Sequence, residues 1–238
     1  MILPLVTSLQ ELCPKNFPML KFRKAVKEDK NKISSLISAT VEGAAAFSVL
    51  YTSAEDISDF FFVGEDENAD MKSIVFDTGD EYFLVYGEEF PTLFTRCRKT
   101  VMIYGKSTAE QGSAEMLQGR DILELYRLLS GKNTLSFDDE RRYVLRLRAV
   151  NSGLSAVFGI REGERLVSSA SISSMNEKYA VISDVFTDEN YRSRGLARRC
   201  LMSAAEYSLK KGRIPILLCD EKMCPYYEKA GFVIYGKM

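Results

Sequence analysis

Val185-Phe186-Thr187-Asp188-Glu189-Asn190-Tyr191-Arg192-Ser193-Arg194-Gly195-Leu196-Ala197 is the stretch in which an extended run passes straight into a helical one. Tyr179 to Thr187 before it reads as a strand, and the residues from Gly195 to about Lys211-Gly212 read as a helix. A strand that feeds directly into a helix leaves the first helical N–H groups without intrahelical partners, aimed out of the N-terminus. Those donors and the positive end of the helix dipole suit a phosphate or pyrophosphate. Gly195 and Ala197 keep the turn free of bulky side chains, and Arg192, Arg194, Arg198 and Arg199 offer charge-assisted donors. Arg198 and Arg199 read more readily as a solvated helix face than as phosphate contacts. The chain has no Gly-x-x-x-x-Gly-Lys-Ser/Thr loop and no Gly-x-Gly-x-x-Gly fingerprint, so the two commonest phosphate-loop chemistries are excluded.

Downstream, Ile214 to Cys219 reads as a strand, Cys224 to Ala230 as a short helix and Phe232 to Tyr235 as a last strand. Upstream, Asp121 to Leu129 carries Ile122, Leu125, Leu128 and Leu129 on one face and stops at Gly131. Ser136 with Asp139 reads as a capping box that opens a second helix, ending near Asn151 and Gly153. Leu154 to Ile160 and Arg165 to Ser173 read as strands joined at Glu162-Gly163-Glu164. The order ααβββαβαβ predicts an α/β fold with a mostly antiparallel front half.

Gly105 to Gly112 (GKSTAEQG) is polar, rich in small residues and flanked by apolar periodic segments, which predicts a domain boundary: 1–112 and 113–238. In the first half, Met19 to Arg23 reads as a strand and Ile33, Leu36 and Ile37 mark a helix. Ser53 with Asp56 reads as a helix start running into Phe60, Phe61 and Phe62, three aromatics better suited to a core than to a ligand stripe. Lys72 to Phe76 and Glu81 to Tyr86 read as strands around Asp77-Thr78-Gly79-Asp80, and Val101 to Tyr104 as another. This is a smaller α/β half without a chemical motif.

Composition narrows the chemistry. The chain has no histidine, which removes Ser-His-Asp and Cys-His nucleophilic machinery and every histidine-ligated zinc site. Cys219 and Cys224 alone do not make a metal site, so no metal is expected. With Cys13, Cys97 and Cys200 the thiols are odd in number and scattered, as in a reducing compartment, and they read as packing thiols. Net charge is −1, which supplies no field for nucleic acid. Met1 to Val6 lacks the basic start of a signal peptide, and no apolar run is long enough to span a membrane. A cytoplasmic protein without nucleic-acid or membrane partners is expected.

Tyr227-Glu228-Lys229-Ala230-Gly231-Phe232 follows the first motif at about thirty residues, a short helix ending in Gly-Phe before a strand. With these two motifs, residues 120–238 resemble the GCN5-related N-acetyltransferase (GNAT) superfamily, and within it the FR47-like branch and its glycine N-acyltransferase relatives. The family's acyl-CoA loop, Arg/Gln-x-x-Gly-x-Gly/Ala, is matched by Arg192 to Ala197. Its Tyr-x-x-x-Gly-Phe signature is matched by Tyr227, Gly231 and Phe232, and the approach Val-x-Thr-x-x-x-Tyr-Arg by Val185, Thr187, Tyr191 and Arg192.

The resemblance implies a mixed, splayed sheet flanked by helices, with acetyl-CoA as co-substrate between the fourth and fifth strands. It implies that the backbone of Val185, Phe186 and Thr187 holds the pantetheine arm and thioester. The amides of Arg192, Ser193, Arg194, Gly195, Leu196 and Ala197 would hold the pyrophosphate, and Tyr227 would protonate the leaving thiolate. A backbone N–H near Val185 would face the oxyanion, and Asp184, with Glu221 second, would take the proton of the attacking amine. The acceptor would be a small-molecule or peptide amine. Where relatives carry Asn after the fifth strand, this chain has Cys219-Asp220-Glu221, acid that could instead face a cationic acceptor. The first half, from Leu20-Lys21-Phe22-Arg23-Lys24-Ala25 to Ile37, resembles the opening of an acetyltransferase domain without its acyl-CoA loop: a degenerate copy, or a distinct α/β cap, that completes the sheet or shapes the acceptor site. Two other readings stand beside the enzyme: a non-catalytic acyl-CoA sensor or scaffold, and an aminoacyl transferase using tRNA, against which the near-neutral charge counts.

Overall fold

In the computed structural model, which describes residues 20–52, 57–78, 82–87, 99–109, 111–132 and 134–237, two sheets carry the fold. The expected helix start at Ser53 and Asp56, the turn at Gly79-Asp80, and Met1 to Val6, Cys13 and Cys97 lie outside the described residues.

The smaller sheet is antiparallel in the order β1 (Lys21–Lys24), β2 (Phe61–Glu65), β3 (Met71–Asp77) and β4 (Tyr82–Tyr86). It packs on α1 (Lys30–Ile37) and α2 (Val41–Thr52). The helix expected to run into Phe60–Phe62 is corrected here: Phe61 opens β2, fully buried with its ring 5.4 Å from Phe76, while Phe62 is less buried on the other side. Consecutive aromatics favour the pleated geometry of a strand, in which neighbours point to opposite faces. Periodicity does not mark α2, because its run of Ala44, Ala45 and Ala46 with Phe47, Ser48 and Leu50 is buried on several sides and shows no polar face.

The larger sheet has seven strands in the order β11-β5-β10-β9-β8-β7-β6. In chain order these are β5 (Thr100–Tyr104), β6 (Glu115–Leu117), β7 (Ala156–Glu162), β8 (Arg165–Met175), β9 (Tyr179–Thr187), β10 (Ile214–Cys219) and β11 (Phe232–Lys237). The helices are α3 (Asp121–Ser130), α4 (Phe137–Asn151), α5 (Leu196–Lys210) and α6 (Cys224–Lys229). The mixed α/β class and the element order from Asp121 onward match the expectation, with the short β6 added at the edge beside β7. Ser136 does cap α4: its Oγ accepts from Asp139 N, and the Asp139 carboxylate accepts from Ser136 N.

β5 lies on the N-terminal side of Gly105–Gly112 yet sits between β10 and β11 in the larger sheet, antiparallel to both. A division at residue 112 therefore cuts through this sheet instead of separating the two sheets. Alternation along the strands assigns two covered faces. Val101, Tyr179, Val181 and Ile216 pack with α1 and α2, while Met102, Ala180, Ile182 and Leu217 pack with α5. On the same side as α2, α3 and α4 cover Leu117, Val157 and Leu166.

β9 and β10 pair in parallel only from Tyr179–Ile214 to Ile182–Leu217. Beyond Ile182, β9 continues to Thr187 along β8 alone. The gap that opens between the strand ends is where the candidate site lies.

Candidate functional site

The splayed end of β9, the first turn of α5 and the start of α6 enclose a cleft of about 510 Å³. Of the nine residues expected to hold the cofactor, Val185, Phe186, Thr187, Arg192, Ser193, Gly195, Leu196 and Ala197 line it, and so does Tyr227. Arg194 does not. Its guanidinium stands over the Tyr191 ring at 5.1 Å and pairs with Glu162 at 3.9 Å, which leaves only its backbone to the turn.

The turn is built by backbone conformation. Ser193 and Gly195 both hold left-handed dihedrals, with φ 64° and 73°, so the chain reverses sharply before entering α5. Gly195 occupies the N-cap position without a side-chain cap, and a Cβ placed on it would meet nothing within 4 Å. The space beside Gly195 is therefore open at the start of α5, where a helix N-terminus can receive an anion. Leu196 is buried beneath the turn and lines the cleft. Arg192 donates from Nε to the Thr187 carbonyl at 3.3 Å, which ties the turn back to β9. Arg198 donates to the Lys229 carbonyl at 2.7 Å and Arg199 to Ser113 at 2.7 Å; both brace α5 against its neighbours.

Tyr227 is buried, packed edge-on to Tyr226 and Phe232 at 5.1 and 6.2 Å. Burial first, then the nearby Cys219 and Tyr226, pushes its phenol up to about 12. The Gly-Phe signature has a steric reason. Gly231 turns with φ 97° and its carbonyl accepts from Gly105 N at 3.0 Å, which fastens the end of α6 to the loop after β5. A Cβ there would press on Tyr104 and Lys106 at 3.2 and 3.1 Å.

On β9, Ser169 faces Phe186 and Ser171 faces Ser183, so Asp184 and Val185 together oppose Ala170: a β-bulge at the mouth of the splay. Asp184 sits there at φ 52°. Its Oδ2 accepts from Arg146 Nη2 at 3.1 Å and from Ser183 Oγ at 3.2 Å, and Asp184 does not line the cleft. Glu221, the second candidate base, is exposed and pairs with Lys237 at 3.4 Å, while Asp220 pairs with Lys99 at 3.0 Å. Among the described residues that line the cleft, none is a carboxylate.

Met223 and Tyr226 also line the cleft, and sequence reasoning missed both. Tyr226 adjoins the signature tyrosine, and the turn geometry of α6 brings neighbours to one wall; a pattern of fixed positions contains no such signal. A larger hollow of about 630 Å³ lies at the end of α3, lined by Glu124, Arg127, Lys132, Arg165 and Asp188 among others. Arg127 is paired with Glu124 at 2.5 Å and Arg165 with Asp188 at 2.6 Å, so its charges largely satisfy one another. It holds none of the expected site residues. No group of three or more metal-ligating side chains occurs among the described residues, and no described helix is long and apolar enough to cross a membrane.

Residues 122–232 match the family described as the acetyltransferase (GNAT) family. A segment of 52 residues is 42% identical to a glucosamine 6-phosphate N-acetyltransferase of Trypanosoma brucei brucei, covering 21% of this chain and 35% of that protein. The chain thus spans about a third of the length of the curated relative it matches. An acetyltransferase of the GNAT family from Colwellia psychrerythraea superposes with a TM-score of 0.59 at 10% identity, over 91% of this chain and 97% of that one. A tandem GNAT protein from the clavulanic acid biosynthesis pathway superposes at 0.55 with 11% identity, over 92% and 96%. At such identities the likeness is one of fold, and it extends over both halves.

Proposed function

We propose, from the premise that residues 122–232 form a domain of the acetyltransferase (GNAT) family, that the chain moves an acetyl group from acetyl-CoA to an amine by direct attack on the thioester. The observation that carries this reading is the convergence of the α5 N-terminus, the splayed end of β9 and Tyr227 on one cleft. The cleft fits the co-substrate: unfilled space at Gly195 leaves room for phosphate oxygens against the first amides of α5. Val185 to Thr187 would carry the pantetheine arm, and the bulge would turn a backbone N–H toward the thioester oxygen. The Tyr-x-x-x-Gly-Phe signature at Tyr227 to Phe232 is what supports reading the domain as one of the FR47-like and glycine N-acyltransferase branch.

Tyr227 keeps its proton across the physiological range, since its phenol is pushed up to about 12. A thiol ionises near 8.5. Complete transfer from this phenol to a departing thiolate is therefore uphill, and Tyr227 acts by donating a hydrogen bond to the sulfur. The proton that the thiol finally carries is balanced by the one the acylated nitrogen sheds. Asp184, expected to remove that proton, has its carboxylate engaged by Arg146 and Ser183. The amine then arrives uncharged, having lost its proton to solvent, and turnover rises with pH toward the acceptor's own pKa.

The test is calorimetric binding of acetyl-CoA and of desulfo-CoA to wild type and to Gly195→Trp, followed by thiol release with a panel of amines. Glucosamine 6-phosphate heads the panel, because the Trypanosoma brucei brucei relative is named for it. Binding that the tryptophan abolishes, with turnover of one amine, is the expected outcome. Binding without turnover of any amine favours an acyl-CoA sensor. No binding by folded wild type overturns both.

A further inference from the structure

Asp184 holds a conformation that needs an explanation. A non-glycine residue at φ 52° is uncommon, and although aspartate tolerates the left-handed region better than most, it settles there where its surroundings hold it. Those surroundings are visible. The Ser169 hydroxyl donates to the Asp184 carbonyl at 2.9 Å, fixing the bulge from β8. Arg146 reaches down from α4 and divides its guanidinium: Nη1 donates to the Ile172 carbonyl of β8 at 3.3 Å, and Nη2 to the Asp184 carboxylate of β9 at 3.1 Å. The Ile172 carbonyl also accepts from Ser155 at 2.6 Å, so the strand that Arg146 grips is itself held.

Only a forked, planar cation can bridge two strands in this way; a lysine ammonium is a single point of charge. Arg146 is also the wrong residue for a merely solvated ion pair, because its side chain is 14% exposed. Burial works against its charge, but the Asp184 carboxylate and the Tyr126 phenol outweigh that cost, and its pKa is raised. A buried cation of this kind is strongly destabilising if its partner is removed. The bulge it holds sits one residue before Val185, which lines the cleft.

We propose that Arg146 and Asp184 are positioning residues: together they clamp the β9 bulge and so set the aim of the Val185 amide into the cleft. This rests on the acetyl-transfer reading for its catalytic consequence, though not for its structural one. Asp184 serves through its backbone geometry and its bond to Arg146, without exchanging a proton with the acceptor.

Arg146→Lys, Arg146→Met, Asp184→Asn and Asp184→Val test it by two readouts. The first is hydrogen–deuterium exchange of residues 183–187 without ligand, which needs no turnover. Exchange in this segment rises in both Arg146 variants while the α5 turn keeps its protection. The second is steady-state thiol release from acetyl-CoA with the panel amine that turns over. In Arg146→Lys, kcat falls by 10-fold or more while the calorimetric Kd for acetyl-CoA changes by less than 3-fold. Asp184→Asn, which tolerates the left-handed region and still accepts from Arg146, retains more kcat than Asp184→Val, where a β-branched side chain resists that conformation. Unaltered exchange at 183–187 in Arg146→Lys and Arg146→Met overturns the clamp. So does an Asp184→Asn variant as slow as Asp184→Val with its pH profile changed in shape, which would make the carboxylate itself the chemical group. Failure of folded wild type to bind acetyl-CoA overturns the transfer reading instead, and the exchange experiment still decides the clamp.

Discussion

The backbone N–H of Ser48 donates to the Oγ of Ser174 at 2.8 Å, fastening α2 of the first half to β8 of the second. The bond is one of several across this seam. Ser48 Oγ returns to the Ser173 carbonyl at 3.3 Å, and Asn176 Nδ2 donates to the carbonyls of Ile37 and Thr40 at 3.1 and 2.9 Å. Between these bonds the seam is apolar, with Tyr179, Val181 and Ile216 sharing one core with Phe47 and Leu50. With β5 threaded between β10 and β11, the two halves share a sheet as well as an interface.

Residues 113–238 alone should consequently fail to form the native larger sheet. Without β5, β10 loses its antiparallel partner and β11 its only one among the described strands, while the face under α2 is bared to water. The expected result is a fragment that is insoluble or melts without cooperativity, against a single transition for the full chain, followed by circular dichroism. A fragment with a sharp melt and native-like exchange protection in β10 would show that β5 is dispensable.

The boundary at Gly105–Gly112 shows where sequence legibility ended. The linker is polar in sequence, but a five-residue strand looks the same whichever sheet receives it, so nothing local marks Thr100–Tyr104 as part of the larger one. Local signals fared better where chemistry is local. The Ser136–Asp139 box, the span of β9, the span of β10 and the turn before α5 follow from cap residues, alternation and glycine placement within a few positions. At the site, motif spacing brought Tyr227 and eight of the nine expected cofactor residues to one cleft, because they lie on or between elements whose ends the sequence marks. Arg146 was illegible for the opposite reason. It sits mid-helix among Arg141, Arg142 and Arg148, and only packing shows which of these arginines turns inward.

Ser136→Ala offers a calibration of the local readings. The substitution removes the acceptor for Asp139 N and one half of a reciprocal pair, at a cost of about 1 kcal/mol. Urea denaturation should show that loss through a lower midpoint at unchanged slope, with acetyl-CoA binding intact. A midpoint equal to wild type would mean that water replaces the cap without penalty.

The thiols near the cleft are expected to be slow. Burial pushes Cys200 up to about 11, and burial together with the neighbouring Cys224 at 4.0 Å and Asp220 pushes Cys219 up to about 12. At pH 8 only about a thousandth or less of either would be thiolate, the reactive form. Iodoacetamide at that pH should leave the peptides carrying Cys200 and Cys219 unlabelled in the native protein and label them after unfolding, read by mass spectrometry. Labelling of native Cys219 at the rate of a free cysteine would contradict its assignment as a packing thiol.

Tyr227 yields two linked expectations from one shifted phenol. In the unfolded chain a tyrosine ionises near 10, and in the fold this one is pushed up to about 12, so the fold favours the protonated form. Its contribution to stability is complete below pH 10 and is lost as pH rises from 10 to 12, because there the unfolded chain releases its proton first. Tyr227→Phe removes the ionisable group, and the variant should show a shallower loss of stability than wild type between pH 10 and 12 in denaturation at constant ionic strength. For catalysis, loss of the donor to the departing sulfur should lower kcat by about 100-fold with little change in acetyl-CoA affinity, since the interaction forms only as charge develops. The rate of wild type should meanwhile show no loss attributable to this phenol below pH 10. If Tyr227→Phe turned over as fast as wild type while binding acetyl-CoA equally well, the hydroxyl would have no part in the reaction and the residue would be a wall of the cleft.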